Sequence, residues 1–323
     1  MIQIKPNANF YSLGGISVHE NQSSEYQEYR KHWIELPQKF ILRDFPMHLD
    51  IETSSRCNLR CTFCDKLPLL NKGQLGDMDF NLYKKIIDEG SRHKLWGVKL
   101  SYRGEPLLHK NIVEMASYAK KKGILDIYFN TNGMLLDRDM CERLMDAGLN
   151  RISISVEGAD PVVFERERIG ADFKVILNNI KTLLQLRRKK GVEYPKIRVQ
   201  TVRLPNLDLD IYKSFWEDKS DEVAAIDYKD ESHREKGLVY DWACPQPWQR
   251  MTIDWEGNIF PCNNDDLRLL NLGNIKEKTV YGCWHSDKAK EVRLLHQAGQ
   301  SHKIEACDGC PWRTAQIRKL QNS

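Results

Sequence analysis

The sequence predicts an α/β fold: a partial (β/α)6 barrel of the TIM type, followed by a small C-terminal subdomain with a β-hairpin and a helix. Short apolar runs alternate six times with segments of helical periodicity between residues 47 and 230. This alternation is typical of parallel strands joined by right-handed helical crossovers. Six units in about 180 residues suit an open barrel, because a complete eight-unit barrel needs about 250 residues. In such barrels the chemistry lies at the carboxyl ends of the strands.

Hydrophobic periodicity locates the elements of the barrel. A strand is a short run of alternating or continuous apolar residues, such as RISISV at 151–156, whereas a helix repeats its apolar residues every three or four positions. The strands are predicted at 48–52, 97–101, 126–130, 151–156, 196–202 and 222–228, and the helices at 79–90, 111–122, 137–147, 173–190 and 209–219.

Two regions flank the barrel. Residues 1–46 show little periodicity, and we expect an N-terminal extension with a short helix near 25–36 that lies against the main domain. After Tyr228 the alternation stops, and two short apolar runs around Trp255-Glu256-Gly257 predict a hairpin. A helix is expected at 286–297. The predicted domains are therefore 1–46, 47–230 and 231–323.

Composition excludes several classes of protein. The 323 residues are 41% hydrophobic and 29% charged, which is ordinary for a globular protein and excludes a disordered chain. The net charge of +4 is too small to indicate a nucleic-acid partner. No apolar run approaches the roughly 20 residues of a membrane span. Residues 1–10 do not resemble a secretory signal, so we expect no membrane and a cytoplasmic location.

Three of the nine cysteines form a C-x3-C-x2-C motif on the loop after the first predicted strand. Disulfides are not expected in a reducing cytoplasm. The thiolates of Cys57, Cys61 and Cys64 can bind three irons of a [4Fe–4S] cube and leave the fourth iron open. A structural zinc site is the competing interpretation, but it needs four ligands and this loop offers no fourth cysteine or histidine. The spacing therefore favours an iron–sulfur site.

With this motif, the segment of about 47–230 resembles the radical S-adenosylmethionine (SAM) superfamily. Phe63 precedes the last cysteine, and Gly104-Glu105-Pro106 follows the second strand. The resemblance implies that the open iron binds the amino and carboxylate groups of SAM. It also implies that the reduced cluster cleaves SAM to methionine and a 5′-deoxyadenosyl radical.

The same resemblance implies further SAM-binding residues. Gly104 and Glu105 match the motif that receives the amino group of the methionine moiety, although a plain turn would have the same sequence. Phe63 in the cysteine loop and Asn132 in the Asn-Thr-Asn-Gly run after strand three also match the family. Ser153 and Ser155 on strand four, and Arg166 or Arg168 after it, fall in zones that contact the ribose or carboxylate of SAM in relatives, and ordinary strand hydroxyls and solvated arginines are the alternatives.

Four late cysteines form a second set, with Cys244 before the hairpin, Cys262 after it, and Cys307 and Cys310 in a C-x2-C pair. Four thiolates suit a fully ligated [4Fe–4S] cluster or a zinc clip. The segment resembles the SPASM extension and its shorter form, twitch, in Cys244-Pro245 and in the run from Trp255 to Cys262. No cysteine follows Cys310, which implies one auxiliary cluster. Its spacing is similar to that of twitch enzymes of the 2-deoxy-scyllo-inosamine dehydrogenase type, which oxidise an aminocyclitol alcohol to a ketone.

These resemblances predict an oxidoreductase. A cluster with four cysteine ligands has no open iron for substrate, so an electron-accepting role is expected. The predicted partners are a small molecule, either a sugar or an aminocyclitol in free, phosphorylated or nucleotide-linked form, and a flavodoxin- or ferredoxin-type electron donor. The sequence does not identify the catalytic base. The candidates that follow strand four are Glu157, Glu165, Arg166 and Arg168.

Three alternatives stay open at this point. Many SPASM enzymes modify peptides by crosslinking or epimerisation, although residues 1–46 look too short and polar for a peptide-recognition domain. A radical sugar epimerase needs a hydrogen-atom donor, for which Cys141 and Cys283 are candidates, although both fit core positions better. The third alternative is a non-catalytic protein that binds zinc or a cluster.

Overall fold

The computed structural model describes residues 2, 4, 9–20, 23–64, 75–229, 234–265 and 267–321. Short 3₁₀ turns lie at Pro106–Leu108 and Ser301–Lys303, and the remaining regular elements are strands and α-helices. In chain order these are β1 (Phe10–Gly15), α1 (Ser24–Gln38), β2 (His48–Ile51), β3 (Arg60–Cys61), α2 (Phe80–Arg92), β4 (Gly97–Lys99), α3 (Ile112–Lys121), β5 (Asp126–Thr131), α4 (Arg138–Asp146), β6 (Arg151–Ser155), α5 (Pro161–Glu167), β7 (Arg168–Ile169), α6 (Phe173–Lys190), β8 (Lys196–Arg203), α7 (Leu209–Trp216), β9 (Glu222–Asp227), α8 (Gln246–Gln249), β10 (Arg250–Ile253), β11 (Asn258–Phe260), β12 (Gly273–Asn274), α9 (Val280–Trp284), α10 (Asp287–Gln297) and α11 (Pro311–Gln321).

The predicted partial barrel is confirmed. Six strands lie side by side in the order β9-β8-β6-β5-β4-β2, and every neighbouring pair among them is parallel. Their apolar residues, such as Ile127 and Phe129 of β5, are completely buried in the main core with the flanking helices. The residues between them point to the other face, as the period of a strand requires.

Aspartates start most of the barrel helices. Each lies one residue before its helix, and its side chain accepts hydrogen bonds from backbone N–H groups of the first turn, which have no partner within the helix. The caps of α2, α4, α5, α6 and α7 are Asp79, Asp137, Asp160, Asp172 and Asp208.

The concave face of the sheet is polar and held by buried ion pairs. Arg151 donates two hydrogen bonds to Asp126, at 3.0 and 2.8 Å. Burial opposes ionisation of Asp126, but the Arg151 guanidinium outweighs it and holds the pKa of that carboxyl below its usual range. Arg103 likewise donates two hydrogen bonds to Glu52, at 2.6 and 2.5 Å. Both ion pairs are buried, and Arg103 also lines the cavity of the site described below.

The N-terminal residues are part of the barrel. Strand β1 pairs antiparallel with β9 and forms one edge of the sheet. Helix α1 packs at the amino ends of the strands, where the hydroxyl of Tyr29 lies 3.3 Å from His48 Nδ1 and Trp33 packs edge-on against the same imidazole. The helix near 25–36 was expected from the sequence, whereas β1 was not, because FYSLGG lacks an alternating apolar pattern.

The predicted hairpin continues the barrel sheet. Strand β10 pairs parallel with β2, with Arg250 opposite His48 and Ile253 opposite Ile51. Strands β11 and β12 follow antiparallel, so ten strands form one sheet. The C-terminal subdomain is therefore connected to the barrel by backbone hydrogen bonds. Among the residues described, no helix combines the length and the apolar character needed to cross a membrane.

Candidate active site

The cysteine triplet follows the first barrel strand. Cys61 ends β3, which pairs antiparallel with β7 and so places Arg168 opposite Cys61. The Nη1 of Arg168 lies 3.7 Å from the Cys61 Sγ. Burial raises the pKa of Cys57 and raises the pKa of Cys61 to about 11. Thiols in this state give up their protons to a metal centre rather than to water, which suits iron ligands.

A cavity of about 350 Å³ lies at the carboxyl ends of the strands, and all three cysteines line it. Its wall also includes the ends of β4, β5, β6, β8 and β9, as expected for a barrel of this type. Of the SAM-binding residues predicted from the resemblance, Phe63, Gly104, Glu105, Asn132, Ser155 and Arg168 line the cavity.

Gly104 lets two loops approach each other closely. A Cβ atom at this position would lie 2.4 Å from the carbonyl oxygen of Ser54 and 2.5 Å from that of Arg56, both in the backbone that leads to the cysteines. The next residue, Glu105, donates its backbone N–H to the Arg56 carbonyl at 2.7 Å. The glycine is therefore required by close packing against the cysteine loop.

Glu105 connects the loops after β4 and β5. Its carboxylate accepts hydrogen bonds from the backbone N–H of Leu107 at 3.0 Å, the hydroxyl of Thr131 at 2.7 Å and the backbone N–H of Asn132 at 2.8 Å. Burial outweighs these bonds and raises the pKa of Glu105. Both carboxylate oxygens thus have donors within the protein, and recognition of the SAM amino group by Glu105 stays a prediction.

Asn132 and the two strand-four serines differ in position. The amide of Asn132 donates to the Asn58 side chain at 2.8 Å, so it holds the cysteine loop while lining the cavity. Ser155 also lines the cavity at the end of β6. Ser153 does not, because it lies two residues earlier on the same face and is buried below the cavity. The structure therefore places Ser155, and not Ser153, where a ligand can contact it.

The four candidates for a catalytic base fall into two groups. Glu157 and Arg168 form a buried ion pair through two guanidinium nitrogens, and Val202 donates its backbone N–H to Glu157 at 3.3 Å. Burial alone would lower the pKa of Arg168, but the Glu157 carboxylate and the Cys61 sulfur outweigh it and raise that pKa. Glu165 and Arg166 are exposed on α5 outside the cavity wall. Only Arg168 of the four lines the cavity.

Two polar side chains of the cavity wall, Lys99 and Asn263, were not predicted from the sequence. Lys99 and Asn263 both line the cavity, and both contact Asp50, which is completely buried in β2. The Nζ of Lys99 lies 2.9 Å from Asp50, and the Asn263 amide lies 3.4 Å away. Burial opposes ionisation of Asp50, but Lys99 and Arg250 outweigh it and lower its pKa. The available signal was a lysine inside the apolar strand GVKLS.

The four late cysteines line a second cavity. Burial raises the pKa of Cys262 to about 12, and it also raises the pKa of Cys244 and Cys307. Four converging buried thiols become thiolates only around a positively charged centre, so the donor set fits an iron–sulfur cluster. Four cysteines without a histidine or carboxylate among them form a soft donor set of the kind that iron–sulfur clusters use.

The two remaining cysteines are core residues. The thiol of Cys141 donates to the carbonyl of Leu136, and the thiol of Cys283 donates to the carbonyl of Leu272, both at 3.5 Å. Both are completely buried in the main core and line neither cavity. Neither thiol is placed to return a hydrogen atom to a substrate radical.

Comparisons with known proteins agree with this geometry. The family model of the radical SAM superfamily matches residues 51–202, and that of the SPASM iron–sulfur cluster-binding domain matches residues 244–311. One relative is the tungsten-containing aldehyde ferredoxin oxidoreductase cofactor-modifying protein of Pyrococcus furiosus. It is 31% identical to this chain in an alignment that covers 83% of this chain and 88% of that protein.

Two further proteins are similar over most of their length. The SAM-dependent 2-deoxy-scyllo-inosamine dehydrogenase of Niallia circulans is 22% identical, with 81% of this chain and 91% of that protein covered. The crystal structure of Streptococcus suis SuiB bound to the precursor peptide SuiA has a TM-score of 0.64 at 16% identity, and covers 88% of this chain and 74% of that one. At this identity the likeness to SuiB shows the fold alone.

Proposed function

Because this chain belongs to the radical SAM superfamily and carries a SPASM domain, we propose that it oxidises an alcohol carbon of a sugar or aminocyclitol to a ketone. SAM and its [4Fe–4S] cluster, when bound, supply a 5′-deoxyadenosyl radical, and the auxiliary [4Fe–4S] cluster supplies an electron acceptor. The substrate loses one hydrogen atom from carbon, one electron, and the proton of its hydroxyl group. The electron that starts each cycle comes from a flavodoxin- or ferredoxin-type donor.

The shape of the cavity carries this proposal. Cys57, Cys61 and Cys64 line one part of its wall, whereas Asn263 lines another part and directly follows Cys262 in the chain. A substrate bound in this cavity would therefore contact a wall that includes the ligands of the first cluster and the residue next to a ligand of the second. One bound molecule would then be accessible to both hydrogen abstraction and electron removal.

On the SAM side, the chain positions the cofactor through a few side chains. Cys57, Cys61 and Cys64 hold the first cluster. Arg168, held in place by Glu157, provides a fixed cation beside Cys61. The Asn132 amide and the Ser155 hydroxyl offer neutral hydrogen-bonding groups at the ends of β5 and β6.

On the substrate side, Lys99 and Asn263 are held ready to bind hydroxyl groups. Lys99 forms an ion pair with Asp50 at 2.9 Å, and the Asn263 amide donates a hydrogen bond to Asp50 at 3.4 Å. Both side chains are held in this way and keep further N–H hydrogens for a ligand. A hydroxyl oxygen accepts from the remaining hydrogens. Pre-oriented donors of this kind hold the reacting carbon in one position, which favours hydrogen abstraction from a single site.

The N-terminal region supports a small molecule over a peptide as substrate. Both described elements of this region pack against the barrel: β1 pairs with β9, and α1 lies at the amino ends of the strands. No separate peptide-binding unit is formed by residues 9–20 and 23–46. The peptide-bound SuiB structure therefore argues for a shared fold rather than a shared substrate.

A second candidate is modification of the cofactor of a tungsten-containing enzyme. It is favoured by the relative in Pyrococcus furiosus, whose name assigns it that role and whose identity to this chain is 31% over most of both lengths. The two candidates share the first half-reaction and differ only in the molecule that loses the hydrogen atom.

The test uses anaerobically reconstituted protein with SAM and a reducing system. Wild-type protein with its substrate is expected to form 5′-deoxyadenosine together with a product that has lost two hydrogens, measured by mass spectrometry on a panel of sugars and aminocyclitols. Purified tungsten-containing aldehyde ferredoxin oxidoreductase is assayed in parallel. Cys57→Ala is expected to abolish SAM cleavage, whereas Cys262→Ala keeps cleavage and loses the ketone. Wild-type yields of ketone from a Cys262→Ala/Cys307→Ala variant would contradict the electron-acceptor role.

A further inference from the structure

His296 contacts two of the four cysteines in the second cavity. It lies near the end of α10 and is 1% exposed. Its Nδ1 accepts a hydrogen bond from the backbone N–H of Cys244 at 3.2 Å, and its Nε2 lies 3.5 Å from the Sγ of Cys307. One imidazole thus joins cysteines from two distant segments of the chain.

These two contacts determine which nitrogen carries the proton. A ring nitrogen that accepts from an N–H group has no hydrogen of its own, so the neutral imidazole carries its proton on Nε2. This N–H then donates to the sulfur of Cys307. The backbone of one cluster cysteine therefore orients a hydrogen bond to the sulfur of another.

Arg313 brings a positive charge to the same cavity. Its side chain is buried, its Nε donates to the Ser301 hydroxyl at 2.9 Å, and its Nη2 donates to the carbonyl of Leu238. Its Nη1 and the indole Nε1 of neighbouring Trp312 are buried without hydrogen-bond partners, and both residues line the cavity. No carboxylate that the structure describes forms an ion pair with Arg313. Because buried donors are normally satisfied, the two unpaired N–H groups indicate an anionic acceptor in this cavity.

The two cluster sites differ in this respect. Beside the first cluster, Arg168 is neutralised by the Glu157 carboxylate. Beside the second, Arg313 forms no ion pair with a described carboxylate, although the Asp308 carboxylate acts on it from a greater distance. Reduction adds one negative charge to a cluster, and a nearby cation or an N–H donor to its sulfur stabilises the reduced form more than the oxidised one.

We propose that His296 and Arg313 are positioning residues that stabilise the reduced form of the auxiliary cluster and so make it the electron acceptor. This inference deepens the proposed oxidation and rests on it. His296 acts through the sulfur of Cys307, and Arg313 acts through its charge. The consequence is a higher reduction potential than the same four cysteines would give alone.

The experiment isolates the second cluster. A Cys57→Ala/Cys61→Ala/Cys64→Ala background removes the first cluster, and the midpoint potential of the remaining one is measured by redox titration followed by electron paramagnetic resonance. In that background, His296→Leu is expected to lower the ratio of reduced to oxidised cluster at least tenfold at a fixed potential, which is about 59 mV for one electron. His296→Gln keeps an acceptor and an N–H donor and is expected to restore most of the potential.

Three further variants complete the test. Arg313→Met is expected to lower the potential by a similar factor, and Arg313→Lys to retain most of it. His285→Gln is the matched control, since His285 lies in the same subdomain but outside the second cavity, with its Nε2 2.8 Å from the carbonyl oxygen of Asp44. The potential of this variant is expected to stay at the wild-type value.

The outcomes separate this inference from the proposed function. An unchanged midpoint potential in His296→Leu or Arg313→Met, with four irons retained, would overturn the inference. If His296→Leu does not retain its four irons, the midpoint potential of Arg313→Met alone tests the inference. Absence of a second cluster from the background variant would remove the electron acceptor and the inference together. If the midpoint potentials shift as expected but no alcohol is oxidised, the proposed function is wrong, whereas the role of His296 and Arg313 in stabilising the reduced cluster is supported.

Discussion

Replacing Gly104 by alanine tests how the barrel holds the cysteine loop. The added Cβ would lie 2.4 Å from the Ser54 carbonyl oxygen and 2.5 Å from that of Arg56. An ordinary contact of this kind is about 3.4 Å, so the cysteine loop must move by about 1 Å, because both neighbours are backbone atoms and no side chain can rotate away. The loop also loses the position in which Glu105 donates to Arg56.

A shift of about 1 Å at a reacting centre costs about 10²-fold in rate. We therefore expect Gly104→Ala to form 5′-deoxyadenosine about 10²-fold more slowly than the wild-type protein. The auxiliary cluster is far along the chain and is expected to keep its irons. The assay is SAM cleavage with excess reductant, combined with iron analysis and a thermal unfolding curve on the same sample.

Gly123→Ala is the matched control. Gly123 has a positive φ of 82° and no atom within 4 Å of a built Cβ, so alanine there costs about 1–2 kcal/mol of backbone strain without a collision. It is expected to lower the unfolding temperature and leave SAM cleavage unchanged. A wild-type cleavage rate in Gly104→Ala would refute the packing argument.

Three other perturbations follow from the buried charges. Glu157→Gln leaves the Arg168 cation unpaired and is expected to cost about 3–5 kcal/mol in chemical denaturation. Glu142→Gln, which breaks the exposed ion pair of Glu142 with Arg138 at 3.6 Å, should cost less than about 1 kcal/mol; equal costs would contradict this. Burial lowers the pKa of His48 to about 3, so its stabilising effect is present above about pH 6.5 and is lost as the pH falls. Between about pH 7 and 5.5 the wild-type protein should lose about 1.3 kcal/mol more stability than His48→Gln, and equal losses would refute the assignment. Lys99→Met should lower kcat/KM for the substrate at least about tenfold through the lost charged hydrogen bond while SAM cleavage continues; unchanged kcat/KM would remove Lys99 from the substrate site.

Local sequence signals predicted the barrel and the cluster cysteines. Helix α6 was predicted at its observed bounds from its apolar periodicity, and in the structure Asp172 caps its start and Gly191 ends it in a left-handed conformation. The six strands were placed within two residues of their ends, since each carries a buried apolar face. The first three cysteines were singled out by their spacing, because close spacing on one loop limits what three thiolates can bind. The interpretation of the late four needed the family resemblance as well.

Features that depend on distant pairing were not predictable. Strand β1 is a strand only because β9 offers it an edge, and β10 joins β2 across most of the chain. The pairing of Glu157 with Arg168 fixes both groups, yet nothing in their local sequence distinguishes them from the exposed Glu165 and Arg166. The role of such site residues depends on contacts with residues distant in the sequence, so only the structure identifies them.

The parallel pairing of β10 with β2 has a consequence for how the chain is made. Strand β2 ends at Ile51 and its partner begins at Arg250. At about 5–20 residues per second, a ribosome needs roughly 10–40 s to supply the missing partner. During that interval one backbone edge of β2, beside the cysteine loop, has no strand to cover it, and an uncovered edge is a template for aggregation. Chains that stall or are cut before residue 250 are therefore expected to precipitate, so that survival of the nascent barrel depends on completing the very segment that holds the second set of cysteines.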